Sequence, residues 1–153
     1  MSWPEIRRLV PHTGPMCLLD RVVAHDAETT TCSVRVEDSG LFLAEAAESV
    51  PAWLGIEYLA QCIAVHGGLE AAALGQAPRP GLFLGSRRLA LHVAELPTGV
   101  ELLAAVRHLR GSGAGTQAFA CALLPKAGAD PWIEGNLNVM LMPDTGSPSG
   151  GLP

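Results

Sequence analysis

A chain of 153 residues that is 48% hydrophobic and 16% charged can build one domain with its own core, which excludes intrinsic disorder over most of its length. Fifteen acidic residues against ten basic ones give a net charge of −5. With a single lysine, the chain lacks the clustered cations that nucleic acid or an anionic membrane surface would need. Cys17, Cys32, Cys62 and Cys121 form no CxxC pair, and none stands at metal-ligand spacing from a histidine. Neither a zinc site, a redox pair nor a cofactor is expected; free, mostly buried thiols in the cytoplasm are. The opening MSWPEIRRLVP has no apolar core for a signal peptide, and no run reaches the roughly 18 apolar residues of a membrane span.

In chain order, residues 17–25 and 29–36 predict two strands joined by a turn over 25–28. The second alternates cleanly, with Thr30, Cys32, Val34 and Val36 on one face. One long helix follows, expected over about 51–74. Ser49 is placed to cap it, Pro51 suits its first turn and Gly75 can end it. From Ala52 to Leu69 its only charged side chain is Glu57. Its apolar residues keep to no single stripe, so it must be buried on most sides. Gly67 and Gly68 cost about 1 kcal/mol each against alanine, and their bareness lets another backbone come close. Four more strands are predicted at 82–92, 100–110, 116–124 and 132–142, separated by the turn-forming runs ELPTG, GSGAG and PKAGADP. Propensity alone would also allow a helix at 100–110; the flanking turns favour a strand.

Six antiparallel strands and one helix apolar all round point to an α+β hotdog fold, a curved sheet wrapped around the helix, spanning residues 1–142 and dimeric. Residues 143–153, rich in glycine, proline and serine, are expected to be a disordered tail.

Leu9 to Val23 carries Pro11, His12, Pro15, Leu18, Leu19, Asp20, Arg21 and Val22, and the helix carries Glu57, Ala60 and Gln61. The two segments resemble the Leu-Pro-His…Asp-Arg-Val opening and the Glu-x-x-Ala-Gln helix of the 3-hydroxyacyl-acyl-carrier-protein dehydratases. Val50-Pro51-Ala52 ahead of the glutamate helix is similar to the aryl-polyene (ApeP-like) branch, and Phe83, Gly85, Arg87 and Arg88 also look like that family. The resemblance covers roughly residues 8 to 142. It implies a dimeric hotdog enzyme that acts on acyl chains borne by acyl carrier protein. One feature departs from it. Better-known members carry a catalytic histidine in a loop before the helix, whereas residues 41–52 here contain none. The usual base therefore has no counterpart at that place, and the family's glutamate corresponds to Glu57.

Dehydration removes an α-proton and expels a β-hydroxyl, so it needs a base, an acid and donors for the thioester oxygen. Glu57 suits the acid role, because desolvation in an apolar helix favours a carboxyl's protonated form. The amides of Ala52 and Trp53, in the expected first turn, are candidate donors. His12, in a proline-bounded loop, is the leading base. His66 is its rival, although nine residues beyond Glu57 it should face away from it. Gln61 either orients Glu57 within the substrate site or binds a backbone carbonyl. The plainer readings are that Glu57 is a hydrogen-bonded core residue and His12 a loop anchor. Asp20 and Arg21 read as structural, and Tyr58 and Trp53 as packing. His25, His92 and His108 read as solvated, and Arg87 and Arg88 as facing solvent rather than a phosphopantetheine phosphate. Three activities stay open: a dehydratase forming trans-2-enoyl thioesters, a catalytically weak hotdog partner of an active dehydratase in a heterodimer, and an acyl thioesterase.

Overall fold

The computed structural model describes residues 2–11, 14–109 and 115–142. His12 and the tail from residue 143 lie outside the described residues. The elements are β1 (Arg21–His25), β2 (Thr29–Arg35), β3 (Ser49–Pro51), α1 (Leu54–Ala73), β4 (Gly81–Leu91), β5 (Glu95–Pro97), β6 (Glu101–His108), β7 (Thr116–Leu124) and β8 (Ile133–Leu141), with short 3-10 turns between them.

Six strands form one antiparallel sheet in the order β1-β2-β6-β7-β8-β4. All six strands expected from the sequence are in it, and the run expected near 100–110 forms the strand β6, Glu101–His108, whose alternating residues pair with β2 and β7. In β2 the alternating Thr30, Cys32 and Val34 are buried, as is Ser33 of the other phase, and Val36 in the turn just beyond the strand is buried with them. The apolar ones meet α1, whose Leu54, Tyr58, Leu59, Cys62, Val65 and Leu69 sit in one continuous core with Leu102, Leu123, Ile133 and Leu137 of the sheet. A one-helix, curved-sheet architecture of this kind is the hotdog fold.

The helix begins later than expected, at Leu54. Ser49 does not cap it: its hydroxyl bonds the Glu95 carboxylate across a second, two-stranded sheet of β3 and β5. Pro51 is likewise the last residue of β3 rather than part of the first helical turn. The N-cap position falls to Trp53, which makes no side-chain capping bond. The other end is as expected. Gly75 takes a φ of 68°, its N–H bonds the Ala72 carbonyl, and Gln76 N–H reaches back to Ala71. That is a Schellman ending, and its left-handed residue is glycine because a Cβ is disfavoured there. Gly68 earns its place differently. A Cβ on it would run into the carbonyl oxygen of Leu9, so the N-terminal segment crosses the helix backbone there at close range.

Candidate active site

Glu57 stands in the first turn of α1 at intermediate exposure. One turn on, Gln61 is completely buried and fully committed to protein partners. Its Nε2 donates to Glu57 Oε1 at 3.0 Å and to the Met16 carbonyl at 2.8 Å, while its Oε1 accepts the Leu18 N–H at 2.9 Å. Both roles read from the sequence are therefore present together: it orients the glutamate and holds a backbone carbonyl. Its assignment to substrate binding is corrected, since every donor is spent inside the protein. Gln61 is a positioning residue, and it straps the segment leading into β1 against the start of the helix.

Glu57 opens onto a cavity of about 150 Å3 that Pro11, Ala60, Ala64, Gly67, Phe83 and Val139 also line. The cavity thus reaches the residue next to His12, whose own position lies outside the described residues. Of the two expected oxyanion donors, Ala52 is corrected. Its N–H donates to the Ala94 carbonyl at 2.9 Å, a bond created by the β3–β5 sheet and unavailable to a thioester. The Trp53 N–H has no acceptor among the described residues. Trp53 is 60% exposed, so it does not pack in the core, whereas Tyr58 is buried and its hydroxyl bonds Ser39.

A second cavity, of about 280 Å3, lies further along the helix and shares Ile63, Gly67, Arg79, Val139 and Leu141 with the first. Its wall includes His66 and His108, which belong to a histidine cluster that the sequence reading missed by treating His25 and His108 as solvated. Thr30 Oγ1 lies 2.8 Å from both His25 Nδ1 and His66 Nδ1. A hydroxyl has one proton, so at least one of these rings donates to it. His108 stacks over His66 at 6.3 Å and both rings touch Phe119, while Trp3 meets His25 edge-on. The cue was only that positions 25, 30, 66 and 108 are polar within buried patterns; what joins them is strand pairing and helix packing. Among the described residues, no three such groups converge as metal ligands. His92 is exposed near Glu134, Arg21 pairs with Glu101 at 3.5 Å, and Arg87 and Arg88 are exposed.

Burial pulls the His66 imidazole below the ordinary histidine range, with His25 and His108 adding to the shift and Glu70 and Asp26 opposing it. The folded chain then binds fewer protons than the unfolded one as pH falls. Stability from this group is complete above about pH 6.5 and is lost as pH drops below it. The thermal midpoint is expected to fall between about pH 7.5 and about pH 5.5, and to fall less in His66→Gln, which keeps a side chain able to bond Thr30. Equal pH slopes in the two proteins would remove His66 as the source.

A family model described as ApeP dehydratase matches residues 4–147. Among solved structures, the chain is similar to the dehydratase heterocomplex ApeI:P from Xenorhabdus doucetiae, with 25% identity and a TM-score of 0.82, over 94% of this chain and 95% of that one. An uncharacterised Pyrococcus horikoshii protein matches at 7% identity and TM-score 0.62, over 92% and 96%. Thioesterase superfamily member 2 of zebra fish matches at 13% and 0.59, over 90% and 93%. The last two likenesses speak for the fold alone. No curated protein sequence matches. Among the described residues, no helix is long and apolar enough to cross a membrane.

Proposed function

The chain belongs to the ApeP-like dehydratase family, and from that premise we propose that it converts 3-hydroxyacyl thioesters on acyl carrier protein into trans-2-enoyl thioesters, with Glu57 and His12 as its acid and base. The observation that carries this reading is a carboxyl held by Gln61 in a cavity that Pro11 also lines and whose other lining residues, Arg79 apart, are apolar. His12 takes the α-proton as the Cα–H bond breaks. The double bond forms, the β-carbon–oxygen bond breaks, and the hydroxyl leaves as water with the proton of Glu57. Transfer of the proton from His12 back to Glu57 resets the pair. The Trp53 amide, at the positive end of the helix dipole, is the donor for the thioester oxygen.

His66 is a weaker base for this step, because its Nδ1 is engaged with Thr30 and it lines the second cavity rather than the one at Glu57. A hotdog partner completes the assembly. β4 is a sheet edge with Leu82, Phe83 and Leu84 all exposed, and the similar Xenorhabdus structure is a heterocomplex. The missing loop histidine keeps a second reading in view, in which this chain shapes the site of an active partner.

The deciding experiment incubates the purified chain with a 3-hydroxyacyl thioester of acyl carrier protein and follows enoyl formation and thiol release together. Enoyl product without thiol is expected. Thiol release would make the chain a thioesterase. Turnover that appears only when a second hotdog subunit is added, and survives Glu57→Gln in this chain, would assign it the partner role.

A further inference from the structure

The N-terminal arm, residues 2–11, is held to the rest of the protein by packing alone. Among the described residues its hydrogen bonds all run within the arm: Arg8 N–H to the Glu5 carbonyl, Leu9 N–H to the Ile6 carbonyl, and the Arg7 guanidinium to the Glu5 carboxylate. Ile6, Leu9 and Val10 are core residues, so the middle of the arm is fixed. Its outer end rests on Trp3, a partly buried indole that meets His25 edge-on with ring centroids 5.6 Å apart. His25 in turn lies 5.4 Å from His66, and the two rings share the Thr30 hydroxyl. The arm's outer anchor therefore sits on the histidine cluster.

Charge at His66 meets an uneven setting. Facing it are His25 from β1, Asp26 from the turn after β1, His108 from β6 and Glu70 from the next turn of α1. β2 presents Thr30 and β7 presents Phe119, while Arg79 lines the same cavity from beyond the helix. Glu70 is half exposed and lies 3.7 Å from His25 Nε2, so its carboxylate serves the outer ring. His66 itself is buried between two imidazoles, and burial favours its neutral form. A proton there drives whichever rearrangement admits water at least cost. The strands are tied by their ladders and α1 by its own hydrogen bonds. Displacing the outer end of the arm breaks no hydrogen bond to the rest of the fold, and it uncovers the ring that shares Thr30 with His66.

We propose that the histidine cluster is a pH-sensitive latch, which holds Trp3 and the outer end of the N-terminal arm closed while His66 is neutral and releases them when His66 is charged, with the sheet and α1 still folded. The arm continues through Leu9 to Pro11, which lines the Glu57 cavity, so the latch acts on a segment that borders the candidate site. It concerns the position of the arm and stands apart from the dehydratase reading.

Trp3 is its own reporter. Subtracting the emission of Trp3→Phe from that of the natural chain isolates it from Trp53 and Trp132. Acrylamide quenching of this difference is followed beside far-UV circular dichroism from about pH 7.5 to about pH 5. The quenching constant of Trp3 is expected to rise about twofold or more below about pH 6.5 while the circular dichroism holds. In His66→Gln, which can still bond Thr30 but takes no proton, the rise is expected to vanish. Glu70→Gln removes a carboxylate that favours charged His66, so it is expected to move the rise to lower pH. At 51% exposure that change leaves the fold alone, and it decides the matter even where His66→Gln fails to fold. A flat Trp3 signal would overturn the latch, as would a rise that coincides with loss of circular dichroism. So would a rise of unchanged size and midpoint in either variant.

Discussion

Glu57→Gln is expected to cut turnover of a 3-hydroxyacyl thioester by about 10²–10⁴ while leaving the fold intact. Gln keeps the volume of Glu and an oxygen that can accept the Gln61 Nε2 bond, now 3.0 Å long, so the strap from Gln61 to Met16 and Leu18 survives. What it loses is the transferable proton. His12→Ala is expected to cost a similar factor, because removal of the base leaves the α-proton without an acceptor. Steady-state rates, read beside circular dichroism and thermal unfolding, separate lost chemistry from lost structure. Near-normal turnover in His12→Ala would break the pair and pass the base role to another group. Near-normal turnover in Glu57→Gln would make Glu57 an element of helix packing and move the chemistry to a partner subunit.

The largest expected loss of stability comes from one methyl group. Gly68→Ala places a Cβ against the Leu9 carbonyl, and Leu9 is itself a core residue, 2% exposed. Backbone cannot rotate away as a flexible side chain can, so the N-terminal segment must shift bodily. Overpacking of this kind costs about 1–3 kcal/mol. The neighbouring Gly67→Ala has open space and should instead gain about 1 kcal/mol through helix propensity. Urea unfolding of the two variants should therefore move the midpoint in opposite directions. Because Leu9 leads directly to Pro11 on the Glu57 cavity, Gly68→Ala should also lower activity. A Gly68→Ala midpoint equal to that of the natural chain would show that the segment does not cross the helix closely.

The candidate site is legible in the sequence only unevenly. Glu57 was readable because a lone carboxylate in a long apolar helix is conspicuous, and Gln61 because it falls one turn later. The division of work between them was not. Whether Gln61 faces substrate or protein depends on where the Met16 carbonyl and the Leu18 amide come to rest, 45 and 43 residues away in sequence. Ala52 was misjudged for the same kind of reason. Its amide looked free while the helix was expected to start near it, and became engaged once β3 paired with β5 and brought Ala94 alongside. Three-residue strands are too short to show a period, so that small sheet had no signature to read.

The sequence by itself determined the class of the protein. Period-two alternation marks the strands, turn-forming runs separate them, and a helix apolar on every side requires a sheet to wrap it; these are local properties of neighbouring residues. Gly75 as the helix stop is local too, since a left-handed φ is a property of one residue. Only the tertiary structure decided which polar groups are spent and which are available. It joined His25, Thr30 and His66 into one hydrogen-bonded cluster with His108 stacked above, drawing on three strands and the helix. It also set Gly68 against a backbone and Gly67 against open space, although the two are adjacent and chemically identical. The reason is that adjacent helical positions point about 100° apart, so what each one meets is settled by the elements packed around the helix and not by the helix itself.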